Sequence, residues 1–180
     1  MADNKVNWYV LFARTGAEEK LVEQLKYEFG EEFYFPFVPK KVATYRRKGI
    51  KSEFEQICFP GYVFIESDKP PEDVLSDAGN IIYRQKDAYR FLSYGDKTDI
   101  VMRDDERVML SKIFGADRSI DISKGFKEGD KVKVVSGALL NFEGIIKRIN
   151  VSRKEAVIEV PMFGSITYVT VGLEIVEKSL

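Results

Sequence analysis

Phe126-Lys-Glu-Gly-Asp130, followed by Gly137, Gly144-Ile-Ile146 and Met162-Phe-Gly164, decides the fold of the second half of the chain. Residues 126–130 read as a turn that feeds Lys131-Val-Lys-Val-Val135, where Val132 and Val134 point to one face and Lys131 and Lys133 to the other. Gly137 and Gly144 bracket a short loop. Strands resume at 145–149 and, past a polar tip at 150–155, at 156–160. Two more short strands, 166–169 and 173–176, follow Gly164. Five short strands at this spacing predict a small barrel, because closure removes the unpaired edges that a flat sheet leaves.

Toward the other end, Trp8-Tyr-Val-Leu-Phe12 is a continuous apolar run suited to a strand buried on both faces. Phe59-Pro-Gly-Tyr-Val-Phe-Ile65 turns at Pro60-Gly61 into a second strand. From Thr15 the chain reads as a helix: Glu18 and Glu19 sit at the positive end of its dipole, Leu21, Val22 and Leu25 share a face, and Gly30 stops it. Residues 40–51 form an extended arm with a hairpin tip at Gly49. Between Phe33 and Ser52 there are six Lys or Arg and no acid. Pro70-Pro-Glu-Asp73 opens a short helix, 81–92 reads as mostly extended, and Asp104 caps a helix that runs to Phe114. The expected layout is an α+β domain over 1–114, a polar, Gly-flanked linker at 115–125, and a barrel over 126–180.

Composition narrows the function. At 180 residues and 44% hydrophobic content the chain can build one or two cores. It has no apolar run of membrane length and no signal-peptide pattern, so a cytoplasmic, non-membrane protein is expected. The single cysteine, Cys58, excludes an internal disulfide and reads as a small buried hydrophobe. With no histidine there is no Ser-His or Cys-His pair, no imidazole base and no set of zinc ligands. The expectation is a binder: no catalytic residue, no metal and no cofactor. The net charge of −1 divides into −3 over residues 1–123 and +2 over 124–180, so a nucleic-acid reading rests on clustering.

The Gly-Asp…Gly…Gly-Ile-Ile spacing resembles the KOW motif of transcription factors and ribosomal proteins that touch RNA. A Trp8-Tyr-Val strand, a helix, a basic hairpin, Phe59-Pro-Gly-Tyr-Val63 and a C-terminal KOW segment together resemble the NusG family over nearly the whole chain. The resemblance implies an NGN-type α/β sandwich followed by a small SH3-like β-barrel. It implies a monomeric factor that rides on RNA polymerase and alters elongation. It also implies an apolar, aromatic grip on the polymerase, with Phe59 and Tyr62 at the motif positions and Phe91 as a lesser candidate. Aromatics suit that task because they bury large areas at small entropic cost. Trp8, Tyr9 and Phe64 read as core instead.

Positive charge in the KOW segment falls at Lys131 with Lys133, Lys147 with Arg148, and Arg153 with Lys154. Strand alternation sends Lys147 and Arg148 to opposite faces unless a bulge intervenes. Arg153 and Lys154 sit at a hairpin tip, able to reach a phosphate backbone, and Arg adds bidentate geometry. For any one of them a solvated turn is an equal reading; the six together point to nascent RNA. The basic hairpin 40–51 stands open between solvated surface and proximity to nucleic acid, upstream DNA being one candidate partner. Two departures from the housekeeping pattern suggest a specialised paralog: Leu139 replaces an aromatic after the first KOW glycine, and residues 76–95 lack the usual proline-containing stretch. The whole resembles LoaP-type antiterminators, which recognise an RNA hairpin. A general NusG-type elongation or termination factor and a ribosome-associated KOW protein are the alternatives.

Overall fold

Strands here follow two patterns, a continuous buried run as in residues 8–11 and strict alternation as in residues 155–162. The computed structural model describes residues 6–30 and 32–177 without the side chains of Arg46 and Tyr83; the start of the chain read for a targeting signal, residues 1–5, lies outside it. The first elements are β1 (Asn7–Ala13), α1 (Glu18–Phe29), β2 (Tyr34–Phe37), β3 (Lys40–Arg47), β4 (Ile50–Ile57) and β5 (Tyr62–Ser67). Then come α2 (Pro71–Arg84), β6 (Ala88–Phe91), α3 (Asp104–Phe114), β7 (Ser119–Ile120) and β8 (Ser123–Glu128). The last are β9 (Lys131–Ser136), a 3-10 turn at Glu143–Ile145, β10 (Ile146–Asn150), β11 (Glu155–Met162) and β12 (Ser165–Ile175). This is an α+β protein. It divides into two compact units: one holds residues up to Val38 with Phe59–Arg107, the other Pro39–Cys58 with residues from Val108 on.

In the first unit an antiparallel sheet runs in the order β2-β5-β1-β6. Register opposes Trp8, Val10 and Phe12 to Glu66, Phe64 and Tyr62, and Tyr9 and Leu11 to Ile65 and Val63. The Tyr9 face carries both helices. Phe29 of α1 lies 4.3 Å from Tyr34, and the Tyr34 hydroxyl donates to Asp77 of α2 at 2.5 Å. The Trp8 face is an aromatic layer, Trp8 meeting Phe37 at 5.5 Å and Phe64 at 6.0 Å, edge to face. Helix α1 follows its sequence signals, ending at Gly30 with φ 68°. Helix α2 is longer than its proline start suggests and takes in residues 81–84, which read as extended. Val74, Ala78 and Ile81 recur at helical spacing and are buried, and that burial carries the helix on.

In the second unit β3 and β4 pair through a tight tip, Lys48-Gly49, with φ of 51° and 83°, and β7 adds in parallel to β3. The other sheet runs β10-β11-β12-β8-β9, all antiparallel except β12 with β8. Glu143 bridges the approach of its edges, Oε1 accepting from the Val134 amide at 3.0 Å. Three expectations change here. Residues 126–128 end a strand, and the turn is confined to Gly129-Asp130. The strands expected at 166–169 and 173–176 are one, β12: Gly172 does not break it but makes room, since a Cβ there would lie 2.8 Å from Ile122 Cγ1. Much of 115–125 is built into the fold. Ser119 and Ser123 are buried, and Ser123 Oγ accepts from the Leu139 amide at 2.9 Å. Gly137 is required by its backbone: φ is +90°, and a Cβ would meet Ile122 O and Ser123 Cα at 2.5 Å.

Candidate functional site

Tyr62, Phe59 and Phe91 do not form one surface. Tyr62 is half-buried and stands opposite Phe12, ring centroids 5.8 Å apart. Phe12 is half-buried too, 5.2 Å from the half-exposed ring of Tyr89 and 6.0 Å from the Arg90 guanidinium. These four make a small aromatic patch with a cationic rim. Phe59 is only 2% exposed and packs on Phe64 at 5.8 Å, so it supports the layer from within. Phe91 is buried and pairs with Leu11, which turns it to the Tyr9 face, 6.4 Å from the Tyr9 ring.

The turn before Tyr62 is held by a residue that reads from sequence only as a dipole partner. Glu18 is 1% exposed; Oε1 accepts from the Gly61 amide at 2.6 Å and Oε2 from the Gly16 amide at 2.7 Å. Gly61 returns a bond, its carbonyl accepting from the Ala13 amide at 2.8 Å. One carboxylate thus joins the start of α1 to the Phe-Pro-Gly-Tyr turn and fixes where Tyr62 emerges.

Five of the six basic candidates of the second unit line three grooves that share lining residues. Lys131, Lys147 and Arg148 line a cleft of about 530 Å³ between β9 and β10. A bulge between Ile146 and Arg148 lets the two neighbours Lys147 and Arg148 share it despite strand alternation. Arg148 and Arg153 line a second groove. Arg153 and Lys154 face a third, with Tyr45 and Lys51 from the β3–β4 hairpin. Lys133, exposed on β9, lines none of the three. The cations are not equally available. Lys147 pairs with Glu159 at 2.8 Å, and Lys154 pairs with Glu174, whose carboxyl it holds below the usual range by hydrogen bonding. The Arg153 side chain has no ion-pair partner among the described residues; its amide donates to Asn150 Oδ1 at 3.0 Å.

Residues 6–111 match the model of the family described as "NusG: Transcription termination factor nusG". The chain belongs to the NusG family. It is 28% identical over 182 residues to the "Transcription termination/antitermination protein NusG" of Thermus thermophilus, covering 97% of this chain and 99% of that one. The protein of the same name from Borreliella burgdorferi is 28% identical over 180 residues, covering 95% and 97%. A solved structure titled "Domain interaction in Thermotoga maritima NusG" aligns over 93% of this chain and 94% of its own at 26% identity and a TM-score of 0.47.

NusG-family proteins are transcription factors without catalytic activity. In this chain Cys58 offers no nucleophile: burial pushes its thiol up to about 12. One difference from the family pattern changes meaning. Leu139, read as a replaced surface aromatic, is fully buried, and the apolar side chains near the surface of that loop are Leu140 and Phe142. No helix among the described residues is long and apolar enough to cross a membrane.

Proposed function

We propose that this NusG-family chain is a cytoplasmic elongation and antitermination factor that grips RNA polymerase through Tyr62, Phe12 and Tyr89 and holds structured nascent RNA on the grooves around Arg148 and Arg153. The observation that carries this reading is the position of Tyr62. Trp8, Tyr9, Phe64 and Phe91 are sealed inside, while Tyr62 at the family motif stays half open beside Phe12 and the more exposed Tyr89. Truncating an interface aromatic costs roughly 2 kcal/mol or more, about a thirtyfold loss. Tyr62→Ala should therefore weaken binding to purified polymerase by about that factor while RNA affinity is retained. A folded variant with unchanged polymerase affinity would refute the grip.

A general elongation factor is the second reading, favoured by the burial of Leu139, which removes one reason to see a specialised surface. The two separate on RNA. The antiterminator reading requires a preference for one RNA hairpin over its scrambled sequence; the general factor binds both alike.

A further inference from the structure

The third groove is made by two hairpins far apart in sequence. The β3–β4 hairpin supplies Thr44, Tyr45 and Lys51, and the tip between β10 and β11 supplies Arg153 and Lys154, around a volume of about 570 Å³. The β3–β4 hairpin is held in place by the parallel pairing of β3 with β7 and by Lys41, whose Nζ donates to the Thr170 carbonyl at 2.5 Å. Arg148 is shared between the first and second grooves and Arg153 between the second and third, and Tyr45 lines the third.

Tyr45 is the unexplained residue. The residue is 49% exposed, and among the described residues its side chain has neither a ring partner nor a hydrogen bond. Around it, Lys51 meets Glu53 at 3.2 Å and Lys154 meets Glu174, which leaves Arg153 as the cation best placed to take an outside anion. An aromatic face next to positive charge, in a groove of the size that takes a small organic group, suits a nucleotide whose base is not paired. A duplex hides its base faces within the stack and offers Tyr45 only an edge or a backbone.

We infer that this groove binds an unpaired stretch of RNA, with a base stacked on Tyr45 and a flanking phosphate on Arg153. The inference rests on the RNA reading above and adds the form of the RNA and the role of the β3–β4 hairpin. A loop or single-stranded flank of a structured RNA would reach Tyr45 while its stem lies along the β9–β10 cleft.

The test uses the full chain and fluorescence anisotropy with three labelled probes: a short unstructured RNA, the same sequence as DNA, and a blunt RNA duplex. Tyr45→Ala should weaken the unstructured RNA about tenfold, the scale of one lost base stack, without changing the salt slope or the affinity for duplex. Tyr45→Phe should bind like wild type. Arg153→Ala should lower the magnitude of the salt slope by about one. Tyr45 is half exposed, and circular dichroism of each variant verifies folding. Unchanged binding by Tyr45→Ala, loss in Tyr45→Phe equal to that in Tyr45→Ala, or a preference for the DNA probe would each overturn the inference. If RNA binding depends on Arg153 but not on Tyr45, the RNA reading stands and the stacking site falls. If the wild-type chain binds neither RNA, both fall.

Discussion

At the scale of single residues, Glu18 shows how one buried charge shapes a surface. Its two oxygens satisfy the amides of Gly16 and the buried Gly61. Glu18→Ala would leave the buried Gly61 amide unsatisfied, worth about 1–3 kcal/mol, while the amide of the exposed Gly16 can turn to water, so unfolding by urea should show a loss of about 2 kcal/mol. Because the turn positions Tyr62, polymerase affinity should fall as well, even under conditions where the variant is still folded. A stability change below about 0.5 kcal/mol would show that the turn holds itself. The role of Glu18 was hidden in the sequence, since an acid in the first turn of a helix has a sufficient local reason to be there. A motif marks Tyr62 in the sequence, and the fold leaves it half-buried beside Phe12. The side taken by Phe91 was not legible, because it depends on the β1–β6 register, which pairing decides and local sequence does not.

Among the elements, the glycines separate those the backbone demands from those it tolerates. Gly137 has a left-handed backbone and sits against Ile122 and Ser123, whereas an added Cβ at Gly144 would meet nothing within 4 Å. Gly137→Ala should cost about 3 kcal/mol from strain and overlap together, and Gly144→Ala should lie within about 0.5 kcal/mol of wild type. Thermal unfolding of the two variants side by side checks this, and equal losses would contradict it. Both glycines stand out equally in the sequence, and only three-dimensional crowding ranks them. The same limit explains β12. Gly172 looks like a strand break until Ile122 is seen to occupy the space of its missing side chain. The bulge that brings Lys147 and Arg148 together was legible only as a condition, because alternation alone sends them apart.

For the whole molecule, a long-range link with a direct consequence is the parallel pair of Ser123, Lys124 and Gly125 with Leu173, Glu174 and Ile175. A fragment that begins at 126 lacks one side of that pair and the Ser123 hydroxyl that anchors Leu139. We expect a fragment of residues 119–180 to give a dispersed amide spectrum and a cooperative melt, and one of residues 126–180 to be far less stable; equal stability would mean the pairing contributes little. The chain passes between its two units three times, at residues 38–39, 58–59 and 107–108. That threading constrains how such a protein can be rebuilt from parts. Transplanting everything after residue 107 from a homologue would leave the native β3–β4 hairpin facing a foreign barrel, with β3 paired to a foreign β7 and Lys41 seated among foreign side chains. A working chimera therefore has to carry residues 39–58 along with the C-terminal segment, so the unit of exchange is discontinuous in the gene although continuous in space.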